Sequence, residues 1–236
     1  MKKILLVFTG CIEAVIGCKA QPLVAEFYGL RFGDRASLQS KGLAIKEGVG
    51  LYSDKRVEQR YKIRSWYTIR KDMPMPATFF DKVEMEYSYK TRTLFSAIYY
   101  GHFPLWMSRR DCLKLMDEFS VELKRKFGIV ISREGAGNSL LDDPVGFEFK
   151  DHSVKYFMTH DRYRVSGEFG QFFAYYSTHN NSPLNISINM EAAESVHGER
   201  IVFLYVFDAV RYKDIVCKEN IVGLKNGTDN LDCLNR

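Results

Sequence analysis

A strand, a tight turn, a second strand and a helix follow one another between residues 79 and 128, and this pattern constrains the fold of the chain more than any other feature. Apolar and polar residues alternate over residues 82–89, and a second apolar segment runs over residues 94–100. Between them, Lys90-Thr91-Arg92 is predicted to reverse the chain. Period-two alternation on both sides of a short turn predicts an antiparallel β-hairpin.

One amphipathic helix is predicted over residues 108–127. Ser108 precedes Asp111 by three positions, a variant of the capping box that begins many helices. Gly128 is predicted to end the helix, after a last turn rich in basic residues that suit the negative end of its dipole. The apolar residues recur at helical spacing and form one stripe; they are Cys112, Leu115, Met116, Phe119, Leu123 and Phe127.

Most of the remaining sequence predicts strands. Further strands are predicted over 27–33, 61–70, 129–131, 162–176, 185–190 and 201–207, with a second hairpin over 147–158. The segment 201–207 is continuously apolar, which is typical of a central strand covered on both faces. Residues 34–52 are weakly patterned and are predicted to be a loop with one helical turn.

These patterns together predict an α+β fold, a mainly antiparallel sheet with the helix of residues 108–127 packed on one face. The 17 Phe and 14 Tyr favour a sheet, because aromatic rings pack well on pleated surfaces. Residues 21–236 are predicted to form a single domain, with a sub-boundary in the glycine-containing segment 135–144.

The first twenty residues have the layout of a bacterial export signal, in which basic residues precede a short apolar segment and a small-residue processing site. Val15-Ile16-Gly17-Cys18 predicts a lipoprotein signal over 1–17 with Cys18 as the lipid-attachment residue. Alternatively, Cys18-Lys19-Ala20 is a small-x-small site, and a signal peptide over 1–20 would leave a soluble exported protein. A third reading is a cytoplasmic chain whose first strand is similar to a signal. Glu13 interrupts the apolar segment, which is too short for a transmembrane anchor.

The export-type start, the Phe-Tyr-Gly-Leu-Arg-Phe-Gly segment at 27–33, and the hairpin with a serine-capped helix ending in Lys-Phe-Gly at 126–128 occur together. In this combination the chain resembles small uncharacterised exported proteins and lipoproteins of Gram-negative bacteria. The resemblance implies location in the cell envelope, as a lipid-anchored or periplasmic protein, and a non-enzymatic α+β module. It brings no catalytic residues.

The formal net charge of +5 falls to +4 without residues 1–17, which carry Lys2, Lys3 and Glu13. This mild excess does not imply a nucleic-acid partner, and none is expected. In an oxidising compartment, Cys217 and Cys233 are predicted to form a disulfide that closes a short C-terminal loop. Cys112 is predicted to be a buried apolar residue of the helix.

No nucleophile-elbow, phosphate-loop or dinucleotide fingerprint occurs in the sequence, and no two histidines have metal-ligand spacing, so neither a cofactor nor a metal is expected. Candidates for a spatially assembled catalytic site are His102, His160 with Asp161 and Glu168, and the Asp142-Asp143 pair. The structural alternative for each is a turn or a solvated loop. A secreted or periplasmic hydrolase is therefore the second hypothesis.

The first functional hypothesis, a binding module, rests on a basic strand. Lys62, Arg64, Trp66 and Arg70 occupy one face of the strand predicted over 61–70. This mixture of cations with an aromatic ring predicts a binding surface for an envelope protein or an anionic envelope component. The alternative is a solvated face whose charges protect a sheet edge. The sequence thus predicts an exported, envelope-associated binding or structural module, located in the bacterial envelope or secreted.

Overall fold

The computed structural model describes residues 26–37, 42–54, 57–136, 169–178, 183–195 and 199–222. Its strands are β1 Glu26–Phe27, β2 Leu30–Arg31, β3 Ala44–Asp54, β4 Val57–Arg70, β5 Phe80–Ser88, β6 Leu94–Phe103, β7 Ile131–Ala136, β8 Phe169–Thr178, β9 Ile186–Ser195, β10 Arg200–Asp208 and β11 Ile221–Val222. Its helices are α1 Arg109–Phe127 and the short α2 Tyr212–Asp214, which continues as a π-helical segment over Ile215–Asn220.

Within these residues, nine strands form one antiparallel sheet. The order across it is β3-β4-β5-β6-β10-β9-β8-β7. Strand β3 pairs along the whole of one edge of β4 up to Tyr67. Because a strand has only two edges, β5 and β11 share the other: β5 pairs with Ser65–Arg70 of β4 and β11 with Lys62 and Ile63. Strands β1 and β2 form a separate two-stranded ribbon.

The predicted hairpin and helix are both present. Strands β5 and β6 pair across the turn at residues 89–93, and a β-bulge between Glu86 and Tyr87 interrupts their register. Helix α1 begins after Ser108, whose Oγ accepts a hydrogen bond from the Asp111 backbone N–H, and ends at Gly128, where φ is 70°. A mostly antiparallel sheet with one long helix confirms the coarse α+β class predicted from the sequence.

The prediction of a loop over residues 34–52 was wrong from residue 44 onward, where the eleven-residue strand β3 Ala44–Asp54 begins. Gly48 and Gly50 interrupt its apolar pattern. Its pairing with β4 supplies the hydrogen bonds that local propensity does not favour. The predicted hairpin at 147–158 and the segment 137–144 lie outside the described residues.

The main core contains residues from α1, the β1–β2 ribbon and one set of strand positions. Cys112, Met116, Phe119 and Leu123 of α1 are buried in it. The Phe119 ring lies 5.9 Å from that of Phe80, a residue of β5. The Tyr176 hydroxyl of β8 donates to Oδ1 of Asp117 on α1 at 2.6 Å. These contacts join the helix to both halves of the sheet.

A second, smaller core lies where the C-terminal segment packs on the sheet. It consists of Ile63, Phe95, Tyr212, Ile215, Val216, Cys217 and Ile221, with Phe207 against it. Strand β10 runs between β6 and β9, and its residues from Val202 to Val206 are all buried. The sequence-based prediction of a central strand at 201–207 is therefore confirmed.

Candidate functional site

The four residues predicted to form a binding surface lie on one face of β4. Lys62, Arg64, Trp66 and Arg70 are separated by even numbers of positions, and side chains of a regular strand point to the same face at every second residue. The structure places Arg64 and Trp66 beside the turn between β5 and β6. That turn contributes two residues that the sequence analysis did not select, Tyr89 and Arg92.

We call Arg64, Trp66, Tyr89 and Arg92 the basic aromatic cluster. The Trp66 and Tyr89 rings are stacked, with centroids 6.3 Å apart and planes 13° from parallel. The guanidinium carbon of Arg92 lies 4.5 Å from the Trp66 ring centroid, and that of Arg64 lies 5.9 Å from the Tyr89 centroid. The Trp66 Nε1–H donates to the Tyr89 backbone oxygen at 3.2 Å. Two cations therefore flank a fixed pair of rings, in the geometry of cation–π contacts.

The backbone of the turn holds Arg92 in place. Arg92 has φ = 57°, the left-handed region that non-glycine residues seldom adopt. Its N–H donates to the Ser88 carbonyl at 3.0 Å, and the Ser88 Oγ accepts from the Thr91 N–H at 3.1 Å. These hydrogen bonds hold Arg92 in its sparsely populated backbone conformation.

Two nitrogen donors at this turn have no acceptor within the described part of the chain. Asn220 is fully buried and its Oδ1 accepts from the Tyr89 N–H at 2.8 Å, which leaves its Nδ2 as a buried donor without a partner. Arg92 Nη1 is likewise buried without a partner. Buried donors are nearly always satisfied in native proteins, because a buried donor without an acceptor destabilises the folded state.

Ion pairs divide the predicted surface into two parts. Arg64 Nε lies 2.6 Å from Oε1 of Glu47 on β3, and the pKa of Arg64 is raised by its hydrogen bond with Tyr89 and by the Glu47 charge. Arg70 binds Asp72 two residues further on, and this hydrogen bond lowers the pKa of the Asp72 carboxyl. Arg70 is six residues from Arg64, about 20 Å along a strand. The structure therefore does not bring Arg70 to the cluster.

The sheet also carries a row of buried acids that sequence reasoning missed. Glu84, Glu86 and Glu191 are 5%, 2% and 3% exposed. Directly paired strand residues lie on the same face. Glu84 pairs with Ile98 of β6, so it lies on the same face as Tyr100, two positions further along β6. Tyr100 pairs with Phe203 of β10, and Phe203 pairs with Glu191 of β9, so Glu191 lies on that face as well. We call these three carboxylates the acidic face.

Two of these carboxylates have identified donors. Lys46 Nζ lies 2.9 Å from Oε1 of Glu84, and the Tyr100 hydroxyl donates to Oε2 of Glu84 at 3.2 Å. The Ser65 hydroxyl donates to Oε1 of Glu86. Burial of a carboxylate is costly unless charge pairing and hydrogen bonds offset it, so these donors stabilise the acidic face. Period-two alternation in the sequence did not indicate that these acids are buried, since Glu84 and Glu86 have the pattern of a solvated strand face.

The other predicted site residues are only partly described. Cys217 is buried in the second core, whereas Cys18, Cys233, His160 and Asp142 lie outside the described residues. The Cys217–Cys233 disulfide and the lipid attachment therefore stay predictions. His102 is exposed at the end of β6, with Nε2 3.9 Å from Oδ2 of Asp81. Within the described residues, no group of three His, Cys, Asp or Glu side chains is arranged to hold a metal ion.

Comparison of the chain with protein-family models, curated proteins and solved structures found no match. Among the described helices, none combines the length and apolar character needed to cross a membrane.

Proposed function

We propose that this protein is an exported, envelope-associated binding module whose contact surface is the basic aromatic cluster. The observation that carries this proposal is the stacked pair of rings, Trp66 and Tyr89, flanked by the guanidinium groups of Arg92 and Arg64. The ligand chemistry that fits is an anionic group with several acceptor oxygens, such as the phosphate or carboxylate of an envelope component.

In this proposal the sheet is a scaffold and α1 covers one of its faces. The burial of Met116 and Phe119 in the main core supports that arrangement. The basic aromatic cluster then lies at the strand β4 side of the sheet, on the turn that follows β5. A rigid sheet with a recognition turn at its margin is a common arrangement for binding proteins, because loops vary while the scaffold fixes their positions.

The surface is tested with short-chain polyphosphate as the anionic probe and with Trp66 fluorescence as the readout, in a Trp106→Phe background. The chain has only two tryptophans, so Trp66 is then the sole indole. We expect saturable quenching that weakens with salt, since screening reduces contacts between exposed charges. Arg92→Glu and Arg64→Glu should each weaken binding at least tenfold. Arg70→Glu is the matched control, because it reverses the same charge on the same strand away from the cluster. An equal loss of affinity in all three variants would mean that binding depends on net charge alone, and it would contradict the proposal.

The envelope location is tested separately, by the intact mass of the protein expressed in a Gram-negative host and by membrane fractionation. A chain that starts at Cys18 with added acyl mass supports a lipid-anchored protein. A chain that starts at Gln21 supports a soluble exported one. An unprocessed Met1 would contradict export altogether.

A hydrolase is the second candidate, with the paired carboxylates of the acidic face as its candidate acid and base. Glu84 and Glu86 are buried two residues apart on one strand face, and paired carboxylates are the usual groups for general acid and base work. Glu86→Gln should abolish hydrolysis of a responsive ester or glycoside substrate while the protein stays folded. Retained hydrolysis would exclude Glu86 from the chemistry.

A further inference from the structure

The turn between β6 and α1 carries two apolar side chains that point into solvent. Trp106 is 83% exposed and Leu105 is 68% exposed. Two adjacent exposed apolar side chains form a small apolar surface patch, and such patches can mark contact sites. We call Leu105 and Trp106 the apex.

The backbone under the apex is held by a partly buried arginine. Arg200 Nη1 donates to the carbonyl oxygens of Leu105, at 3.3 Å, and of Met107. Arg200 also lies 3.6 Å from Glu194, which binds Arg109 at 2.7 Å. The carbonyls of Leu105 and Met107 are therefore already hydrogen-bonded, and this lowers the cost of moving the turn into a less polar medium.

An exposed arginine lies near the apex. Arg110 is exposed on the first turn of α1, and no carboxylate of the described residues lies within 4 Å of its guanidinium. Lys114 follows one turn later and is 75% exposed, with its Nζ 3.9 Å from Oε1 of Glu118. Asp111 is the acid of this turn, and its Oδ2 accepts a hydrogen bond from the Ser108 hydroxyl at 2.6 Å. A cation at Arg110, near the exposed tryptophan and leucine, suits the anionic headgroups that lie above the apolar layer of a membrane.

From these observations we infer that the apex inserts into the interface of a lipid bilayer with anionic headgroups. Tryptophan suits this position because its ring is apolar and its N–H stays near the hydrated headgroups. Two side chains offer far less surface than a stable protein interface, which needs about 1,000 Å². Insertion into a membrane interface needs only a few apolar side chains. This site is separate from the basic aromatic cluster, although it shares with the proposed function the assumption that the protein meets a membrane.

The test uses the full chain with Cys18→Ser, so that no acyl chain contributes, and with Trp66→Phe, so that Trp106 is the only indole. Vesicles of phosphatidylethanolamine and phosphatidylglycerol should shift Trp106 emission to the blue. Brominated acyl chains should quench it. Vesicles of phosphatidylcholine alone should do so much less. Circular dichroism checks that this background keeps its fold.

Binding is then compared between variants by vesicle sedimentation, with Trp66 retained. Trp106→Ala should weaken partition by roughly tenfold or more, as expected for losing one buried aromatic side chain. Val210→Ala is the control, because Val210 is 70% exposed elsewhere on the protein. Sedimentation with unshifted Trp106 emission would assign membrane binding to another segment and overturn the inference. An emission shift that grows with protein concentration in the absence of vesicles would also overturn it, in favour of contact between copies of the chain. Neither result bears on polyphosphate binding at the cluster.

Discussion

The guanidinium of Arg92 covers the indole ring of Trp66, with 4.5 Å between the guanidinium carbon and the ring centroid. Arg92 reaches this position from a turn and Trp66 from the middle of β4, so the contact joins the β5–β6 hairpin to the neighbouring strand. The ring stack with Tyr89 extends it to a second arginine, Arg64. The contact therefore bears on both stability and recognition.

We predict that substitutions of Arg92 separate its backbone role from its side-chain role. Arg92→Gly removes the cation–π contact, which is worth about 0.5–2 kcal/mol. Glycine adopts the left-handed conformation without steric cost, so no backbone strain is added. Arg92→Ala removes the same contact and adds a left-handed backbone cost of roughly 1–2 kcal/mol. Urea denaturation should therefore find the alanine variant less stable than the glycine variant. The opposite order would mean that the turn relaxes once the arginine is gone.

Lys46→Met should destabilise the protein more than the same change at an exposed ion pair. The Lys46 ammonium neutralises Glu84, whose side chain is 6% exposed, and removal of one partner of such a pair costs up to about 3–5 kcal/mol when burial is complete. Lys46 itself is 30% exposed, so about 1–3 kcal/mol is expected. Lys114→Met is the control: Lys114 and Glu118 form an exposed pair on α1, and its loss should cost under about 0.5 kcal/mol.

Gly101→Ala should prevent normal folding or cost more than about 3 kcal/mol. A Cβ at Gly101 would lie 2.0 Å from the Phe79 carbonyl oxygen, a backbone atom that cannot move aside without disturbing the β5–β6 pairing. His102→Ala, at the exposed neighbouring position, should be nearly neutral. Thermal unfolding of both variants by circular dichroism measures the difference. A Gly101→Ala protein with unchanged melting temperature would show that β6 shifts at little cost.

Stability should fall in alkaline solution, beginning above about pH 9. Burial raises the pKa of the Cys112 thiol from 9.0 to about 11, and burial raises the pKa of Tyr28 from 10.0 to about 12. Burial also raises the pKa of Tyr99. In this range the folded state holds protons that the unfolded state has lost, so the free energy of unfolding decreases as pH rises. The loss should run from about pH 9 to 12 in urea titrations. Cys112→Ala should remove the earliest part of it.

The hairpin and α1 were predictable because their signals are local. The alternation of β5, the Ser108 cap and the Gly128 stop lie within a few residues of the elements they define. Strand β3 was not predictable in the same way, because its hydrogen bonds come from β4 and its own sequence contains Gly48 and Gly50. Long-range pairing outweighs a weak local pattern.

Half of the basic aromatic cluster was visible in the sequence. Arg64 and Trp66 occupy one strand face by simple alternation, but Tyr89 is 23 residues from Trp66 and Asn220 is 131 residues from Tyr89. No spacing rule connects positions that only the folded sheet brings together. The acidic face was missed for a related reason. Alternation identifies which residues share a face but not whether that face is solvated.

Strand β11 has a consequence for how the chain is made. Its two residues pair with Lys62 and Ile63 of β4, beyond the point where the pairing of β5 with β4 ends. During synthesis that edge emerges from the ribosome long before Val222 does. At about 5–20 residues per second, roughly 8–30 s separate the two events. Throughout this interval the nascent sheet has open backbone groups beside Ile63, which is where chaperone contact or misassembly between neighbouring nascent chains should concentrate.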